Sequence, residues 1–209
     1  MLIWVNGPFG GGKTQVAHEL QRRVRGSVIC DPELVGFGLQ RMTPPGLRGD
    51  FQDLPAWRQG VREVLQRTLR AFGGHVIVPM TVVDPTYFEE TVGRLRSDGH
   101  LVHHVALLAD RTVVLRRLRQ RAVGRHLERL TKPGWTPRRE AFALANLDRC
   151  LDRLQAPTFA QHLQTDELSV SQVAEQIGTT AGLDLLVRSS PALQQVLQLG
   201  TSLRHIRFE

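Results

Sequence analysis

The sequence predicts an α/β fold, a five-stranded parallel sheet with helices on both faces. Three observations predict it. Short apolar runs alternate with helix-period segments along most of the chain. One run, His75-Val76-Ile77-Val78-Pro79, is apolar almost throughout, as a strand buried on both faces must be. The first run opens through a glycine-rich loop directly into a helix. That loop, Gly7-Pro8-Phe9-Gly10-Gly11-Gly12-Lys13-Thr14, has the form G-x-x-x-x-G-K-[ST].

Leu2-Ile3-Trp4-Val5 is the first strand. Gln15 to Val24 follows as a helix, because Ala17, Leu20 and Val24 recur at three- and four-residue steps. Ser27-Val28-Ile29-Cys30 is the second strand and ends at Asp31-Pro32-Glu33. Residues 34–74 hold Gly36-Phe37-Gly38, the turn Pro44-Pro45-Gly46, the stretch Asp50 to Arg58, and a helix through Val61, Val64, Leu65 and Leu69. After the third strand, His75–Pro79, Asp84-Pro85 opens a helix to about Arg96, which Ser97-Asp98-Gly99 stops. Leu101 to Leu108 is the fourth strand. Asp110 caps a helix that reaches Arg121. Residues 122–139, rich in Arg, Gly and Pro, read as a mobile flap, and Glu140 to Leu154 as one helix. Gln161 to Thr165 is the fifth strand, and Ser169 with Gln172 fits a capping box for a last helix through Val173 and Ile177.

The glycine loop carries the clearest chemistry. Glycines let the backbone curl so that its N–H groups point at phosphate oxygens, and the helix that follows adds the partial positive charge of its N-terminus. Gly7, Phe9, Gly10, Gly11, Gly12, Lys13, Thr14 and Gln15 form this candidate nucleotide site. Lys13 reaches the β- and γ-phosphates of ATP, and the Thr14 hydroxyl is the candidate ligand of Mg²⁺. The chain uses 25 arginines but only two lysines, Lys13 and Lys132, so a composition that favours arginine keeps lysine in this loop.

At 209 residues the chain is long enough for one domain with a substantial core. Its net charge of +7 invites a nucleic-acid partner. The arginines are spread, however, and no basic run is interleaved with aromatics, so phosphorylated ligands or an acidic membrane surface account for them and no nucleic acid is expected. Cys30 and Cys150 lie far apart without C-x-x-C spacing, which fits a reduced, cytoplasmic protein. No apolar run approaches a membrane span, and a signal peptide would have to include the glycine loop. His103 and His104 are adjacent on a strand, point to opposite faces and do not share a metal.

Ligands of parallel sheets bind at the carboxyl ends of the strands. The glycine loop, Asp31, Pro79-Met80-Thr81 and Asp166 all fall there. The layout resembles the nucleotide- and small-molecule-kinase branch of the P-loop fold, in which the two long connections supply an acceptor-binding region (31–74) and a lid (122–139). More closely, several stretches resemble the tunicamycin resistance protein family: Trp4-Val5-Asn6-Gly7, Asp31-Pro32-Glu33-Leu34-Val35-Gly36-Phe37, Asp50-Phe51-Gln52-Asp53 with Trp57-Arg58, Ile77-Val78-Pro79-Met80-Thr81, Gly93-Arg94-Leu95-Arg96 and Leu115-Arg116-Arg117-Leu118-Arg119. The likeness covers about residues 1–180.

The resemblance implies ATP binding and resistance to tunicamycin, a nucleoside antibiotic that carries uracil. Its expected activity is phosphotransfer to a nucleoside-type or other small hydroxylated compound, with ATP-dependent sequestration and a metabolic small-molecule kinase as alternatives. Related kinases use an aspartate after strand two to activate the acceptor hydroxyl, and Asp31 stands there, as base or as ligand of a metal-bound water; the alternative is a turn cap ahead of Pro32. By likeness to adenylate kinases, Arg117 and Arg121 stack on adenine and hold phosphates, and Arg149 repeats the theme beyond the flap; the alternative for each is a solvated surface. Phe51, Gln52, Asp53, Trp57 and Arg58, with Met80 and Thr81, are the expected acceptor-binding residues beside Asp31. A uracil face would stack on an aromatic ring and its edge would meet Gln52, whereas Phe51 and Trp57 would equally serve as core. Thr81 stands where many P-loop proteins carry an acid. Residues 183–209 form an amphipathic tail, which suits either peripheral contact with the inner face of a membrane or packing on the core or on a second subunit.

Overall fold

The computed structural model describes the backbone of residues 1–129 and 138–186 and the side chains of 1–120 and 141–186. Five strands form one sheet: β1 (Leu2–Asn6), β2 (Ser27–Ile29), β3 (His75–Pro79), β4 (Val102–Leu108) and β5 (His162–Gln164). Their spatial order is β2-β3-β1-β4-β5, and every pairing is parallel, as expected. In chain order the helices are α1 (Lys13–Arg23), α2 (Glu33–Met42), α3 (Pro55–Ala71), α4 (Pro85–Phe88), α5 (Arg94–Ser97), α6 (Arg111–Arg129), α7 (Arg138–Ala145), α8 (Leu147–Leu154) and α9 (Val170–Thr180).

Strand alternation divides the core. Leu2 and Trp4 of β1 and Val76 and Val78 of β3 face α3, where Trp57, Val61 and Leu65 meet Phe88, Val92 and Leu95. Ile3 and Val5, with Ile77, face the other way, onto Val16, Ala17 and Leu20 of α1 and Val173, Ala174 and Ile177 of α9. The same alternation separates the two histidines. His104 is buried against Phe88 and Phe159, whereas His103 meets Thr180 on the opposite face. The connection from β1 passes over β3 to β2, while the one from β3 passes over β1 to β4. The two part at the carboxyl end of β1, the place where parallel sheets open a crevice.

Several boundaries differ from the sequence expectation. Helix α6 does not stop at Arg121 but runs to Arg129, so the first part of the expected flap is helical; residues 130–137 of it lie outside the described residues. The helix expected from Glu140 to Leu154 breaks at Asn146, whose φ of −101° and ψ of 0° leave the helical region. The helix after Asp84 is interrupted by a π segment, Glu89–Gly93, while Asp84 itself caps it through the N–H groups of Thr86 and Tyr87. Helix α2 was not expected, since Gly36 and Gly38 weaken the pattern. Its packing supplies the reason for one of them: a Cβ on Gly36 would lie 2.5 Å from the Phe51 ring. The capping box is as expected, with the Ser169 side chain accepting from the Gln172 N–H and the Gln172 side chain accepting from the Ser169 N–H.

Candidate functional site

The glycine loop leaves β1 at Asn6, which is fully buried. Its Oδ1 accepts from the Gly7 N–H (2.8 Å) and the Val82 N–H (3.0 Å), and its Nδ2 donates to the Val82 carbonyl (2.8 Å). The Thr81 hydroxyl donates to the Gly7 carbonyl (2.8 Å). Side chains at the ends of two neighbouring strands therefore fix where the loop begins. Within it the Gly11 N–H donates to the Pro8 carbonyl (2.9 Å), and Gly10 and Gly12 take φ of +77° and +89°. A Cβ on Gly11 would lie 2.9 Å from the Pro8 carbonyl oxygen, and one on Gly10 would lie 2.8 Å from Leu118 of α6.

Gly12 is the N-cap of α1, and the first turn of that helix carries no acidic residue and no capping side chain. Its leading N–H groups, which an α-helix cannot satisfy internally, face the loop. Lys13 is 9% exposed and donates from Nζ to the Pro8 carbonyl (3.0 Å). Thr14 and Gln15 are half-buried on the first turn. The Phe9 ring lies 5.8 Å from Lys13 Nζ and packs edge-on against Phe142 of α7, with centroids 5.6 Å apart.

Asp31 follows β2, and its Oδ1 accepts from the Glu33 N–H (2.9 Å), so it caps the entry to α2 as well as standing at a strand end. Phe51 is half-buried, tilted against Trp57 (5.5 Å) and edge-on to Phe37 (6.1 Å). Trp57 is fully buried, and its Nε1 donates to the Pro32 carbonyl (3.0 Å). Met80, 2% exposed, belongs to the same cluster and accepts the Trp4 indole N–H on its carbonyl. Trp57 thus fits the packing alternative, and Met80, expected as an acceptor-binding residue, is likewise buried in the core cluster between the sheet and α3.

Gln52 donates from Nε2 to the Thr81 carbonyl (3.0 Å), which joins the Asp50–Asp53 turn to the end of β3. Arg58 is 8% exposed and serves three partners: Nη1 donates to the Gln52 carbonyl, Nε donates to Glu90 (2.5 Å each), and the guanidinium lies 4.3 Å from the Tyr87 ring centre. The Tyr87 hydroxyl donates to Asp53 (2.9 Å), and that bond leads the causes raising the Tyr87 pKa. Arg58 and Asp53 are thus the scaffold of the turn.

On the far side, Arg117 of α6 is half-buried and donates to the Thr165 hydroxyl (3.2 Å) and carbonyl (2.7 Å) at the end of β5. Burial lowers its pKa, opposed by Asp166, whose Oδ1 accepts from the Asp110 N–H (2.8 Å). Arg121 lies on the same helix, and its side chain is outside the described residues. Arg149 is exposed on α8, next to buried Cys150. Burial raises the Cys150 thiol, while the charges of Lys13 and Arg149 pull it down and that of Asp50 pushes it up.

His104 was expected only as a strand residue. Its Nδ1 lies 3.2 Å from the Ala160 carbonyl and its Nε2 lies 3.3 Å from Asn6 Nδ2. A neutral ring with its proton on Nδ1 satisfies both partners. Burial accordingly pushes its pKa down to about 4. Asn6, Asp50 and Thr165 are the residues that the sequence reading did not single out. Each lies within a stretch that it did quote, yet a polar residue inside such a stretch has no pattern of its own. A surface groove of about 420 Å³, lined by Pro85, Thr86, Glu89, Glu90, Arg94 and Ser97, contains none of the expected site residues.

A glycine loop at the carboxyl end of a central parallel strand, capping a helix and approached by an arginine-bearing helix, defines a P-loop domain of the kinase-like type. Residues 2–157 match the family described as AAA domain. Over 90% of this chain and 99% of the other, the structure of Deinococcus radiodurans tunicamycin resistance protein is similar at 33% identity with a TM-score of 0.70. A sugar kinase from Janibacter sp. (19% identity, TM-score 0.59, 87% of this chain and 94% of that one) and shikimate kinase from Bacteroides thetaiotaomicron (16%, 0.55, 88% and 99%) share the fold. No curated protein matches. The chain belongs to the AAA domain family and to the tunicamycin resistance protein family. Its fold implies nucleotide binding, and among the described residues no helix is long and apolar enough to cross a membrane.

Proposed function

We propose that the chain is an ATP-dependent phosphotransferase acting on a hydroxyl of a small nucleoside-type compound, tunicamycin or one like it. The observation that carries the reading is the hydrogen-bonded path from Gln52 through Thr81 to Gly7, which joins the Phe51–Asp53 turn to the glycine loop. The loop suits a polyphosphate: two glycines at positive φ, a third whose Cβ would press on the Pro8 carbonyl, and a helix start without acids. Lys13 would exchange the Pro8 carbonyl for phosphate oxygens, and Thr14 would hold Mg²⁺, which neutralises charge on the β- and γ-phosphates. Arg117 and Arg121 would serve the donor, Asp31 and Phe51 the acceptor. Residues 31–74 would bind the acceptor, 122–139 would cover the donor, and 183–209 would serve as a separate tail for membrane or subunit contact. A reduced, cytoplasmic setting, where ATP is abundant, suits this reading.

One observation favours a second reading, ATP-dependent sequestration without transfer: the end of β3 carries Thr81 rather than an acid. Mass spectrometry of tunicamycin after incubation with the protein and Mg-ATP separates the two. Phosphotransfer adds the mass of one phosphoryl group; tight binding with no mass gain would leave sequestration.

A further inference from the structure

We propose that Asp50 is a further acceptor-binding carboxylate, one that accepts a hydrogen bond from the hydroxyl to be phosphorylated. This deepens the reading above and rests on it. Asp50 caps the short turn Phe51–Asp53, its Oδ1 accepting from the Gln52 N–H (2.9 Å). Its second oxygen receives no hydrogen bond from the described residues. The next link of the same turn is the Gln52 side chain, which reaches the Thr81 carbonyl, and Thr81 in turn touches Gly7. The turn is therefore docked at the end of β3, the immediate neighbour of β1, whereas Asp31 stands at the end of β2, about 5 Å further out. Asp50 thus sits on a turn that is joined through Thr81 to the glycine loop.

A cation also bears on Asp50. The charge of Arg149 acts on Asp50, and the two form no ion pair among the described residues. Burial, with the charge of Asp53 beside it, raises the pKa of the Asp50 carboxyl against the pull of the Gln52 N–H and of Arg149. A carboxylate held this way is a better proton acceptor than an exposed one. In the transfer, the hydroxyl proton passes to Asp50 while the acceptor oxygen forms its bond to the γ-phosphorus. The bond from that phosphorus to the bridging oxygen breaks, and the nucleoside diphosphate leaves with the electron pair. The acceptor class follows from the charge: a neutral polyhydroxylated compound, since an acidic one would bring a second carboxylate against Asp50.

Asp50→Asn keeps the cap acceptor and removes the charge, and Asp50→Ser keeps a capping oxygen with a different shape. Calorimetry with tunicamycin and with Mg-ATP, beside the transfer rate by mass spectrometry, tests the assignment. Expected for both variants are Mg-ATP affinity within about twofold of the parent, tunicamycin affinity down about tenfold or more, and transfer down about 100-fold or more. Parental tunicamycin affinity in both variants, or undiminished transfer in either, overturns the role of Asp50. If the unaltered protein binds tunicamycin without transferring phosphate, the phosphotransferase reading fails instead, and the affinities alone judge Asp50.

Discussion

His104 is a neutral base that the fold keeps neutral. It is 3% exposed, packed on Phe88 and Phe159, and bonded to Asn6, which itself anchors the start of the glycine loop. Its pKa falls from 6.5 to about 4, so the unfolded chain takes up the proton first as pH drops. The stability due to this group is whole above pH 6.5 and declines as pH falls toward 4. In urea titrations between pH 7 and pH 4 the parent should lose about 3 kcal/mol more than His104→Gln, which has nothing to titrate. Equal slopes would mean that the ring is not held neutral. At the same scale lies the limit of sequence reading. The glycine loop was legible because its chemistry demands residue types at fixed spacing. Trp57 and Met80 were not, because an aromatic or thioether side chain near a strand end looks alike whether it lines a pocket or fills a core. Their burial is decided by α3, whose place depends on residues far away in the chain. Arg58 was read as meeting the ligand, yet its guanidinium is committed to Gln52, Glu90 and Tyr87. Arg58→Lys keeps the charge but not the fork, and should lower unfolding free energy by about 1–3 kcal/mol in urea at neutral pH.

Elements meet the glycine loop from three directions, and each contact has a cause in composition. Leu118 of α6 fits against Gly10 because no Cβ intervenes. Gly10→Ala would require a strained φ of +77° and would displace α6 as well, so stability and Mg-ATP affinity should both fall. A variant that keeps both would show that α6 does not depend on this approach. On the other face, α9 lies against α1, and its start is held by Ser169 and Gln172. Ser169→Ala should cost about 1 kcal/mol by urea unfolding, with nucleotide affinity unchanged, because the cap is remote from the cleft. The strands were read from apolar runs within a residue or two. The helices were harder. The break at Asn146 and the π segment Glu89–Gly93 leave hydrophobic period almost intact, so only the backbone geometry reveals them. Helix α2 was hidden by two glycines, of which Gly36 is there to admit the Phe51 ring.

For the whole molecule, nucleotide binding and folding are linked, since the loop that takes phosphate is also where Asn6, Thr81, Lys13 and Leu118 converge. Mg-ATP at about 100 times its dissociation constant should stabilise the chain by about 3 kcal/mol, a rise in Tm of roughly 5–10 °C. Lys13→Ala should abolish that rise. An unchanged rise would remove the nucleotide assignment itself.

The strand order also bears on how the chain is made. β1 is the middle of the sheet, yet it precedes both of its partners, β3 and β4, in the chain. The four apolar residues Leu2 to Val5, with Asn6, therefore wait until Leu108 has been added before both neighbours exist. At about 5–20 residues per second this takes roughly 5–20 s. For that interval Leu2–Asn6 is a sticky, unpaired strand, which makes the nascent chain a client for whatever binds short hydrophobic peptides at the exit tunnel.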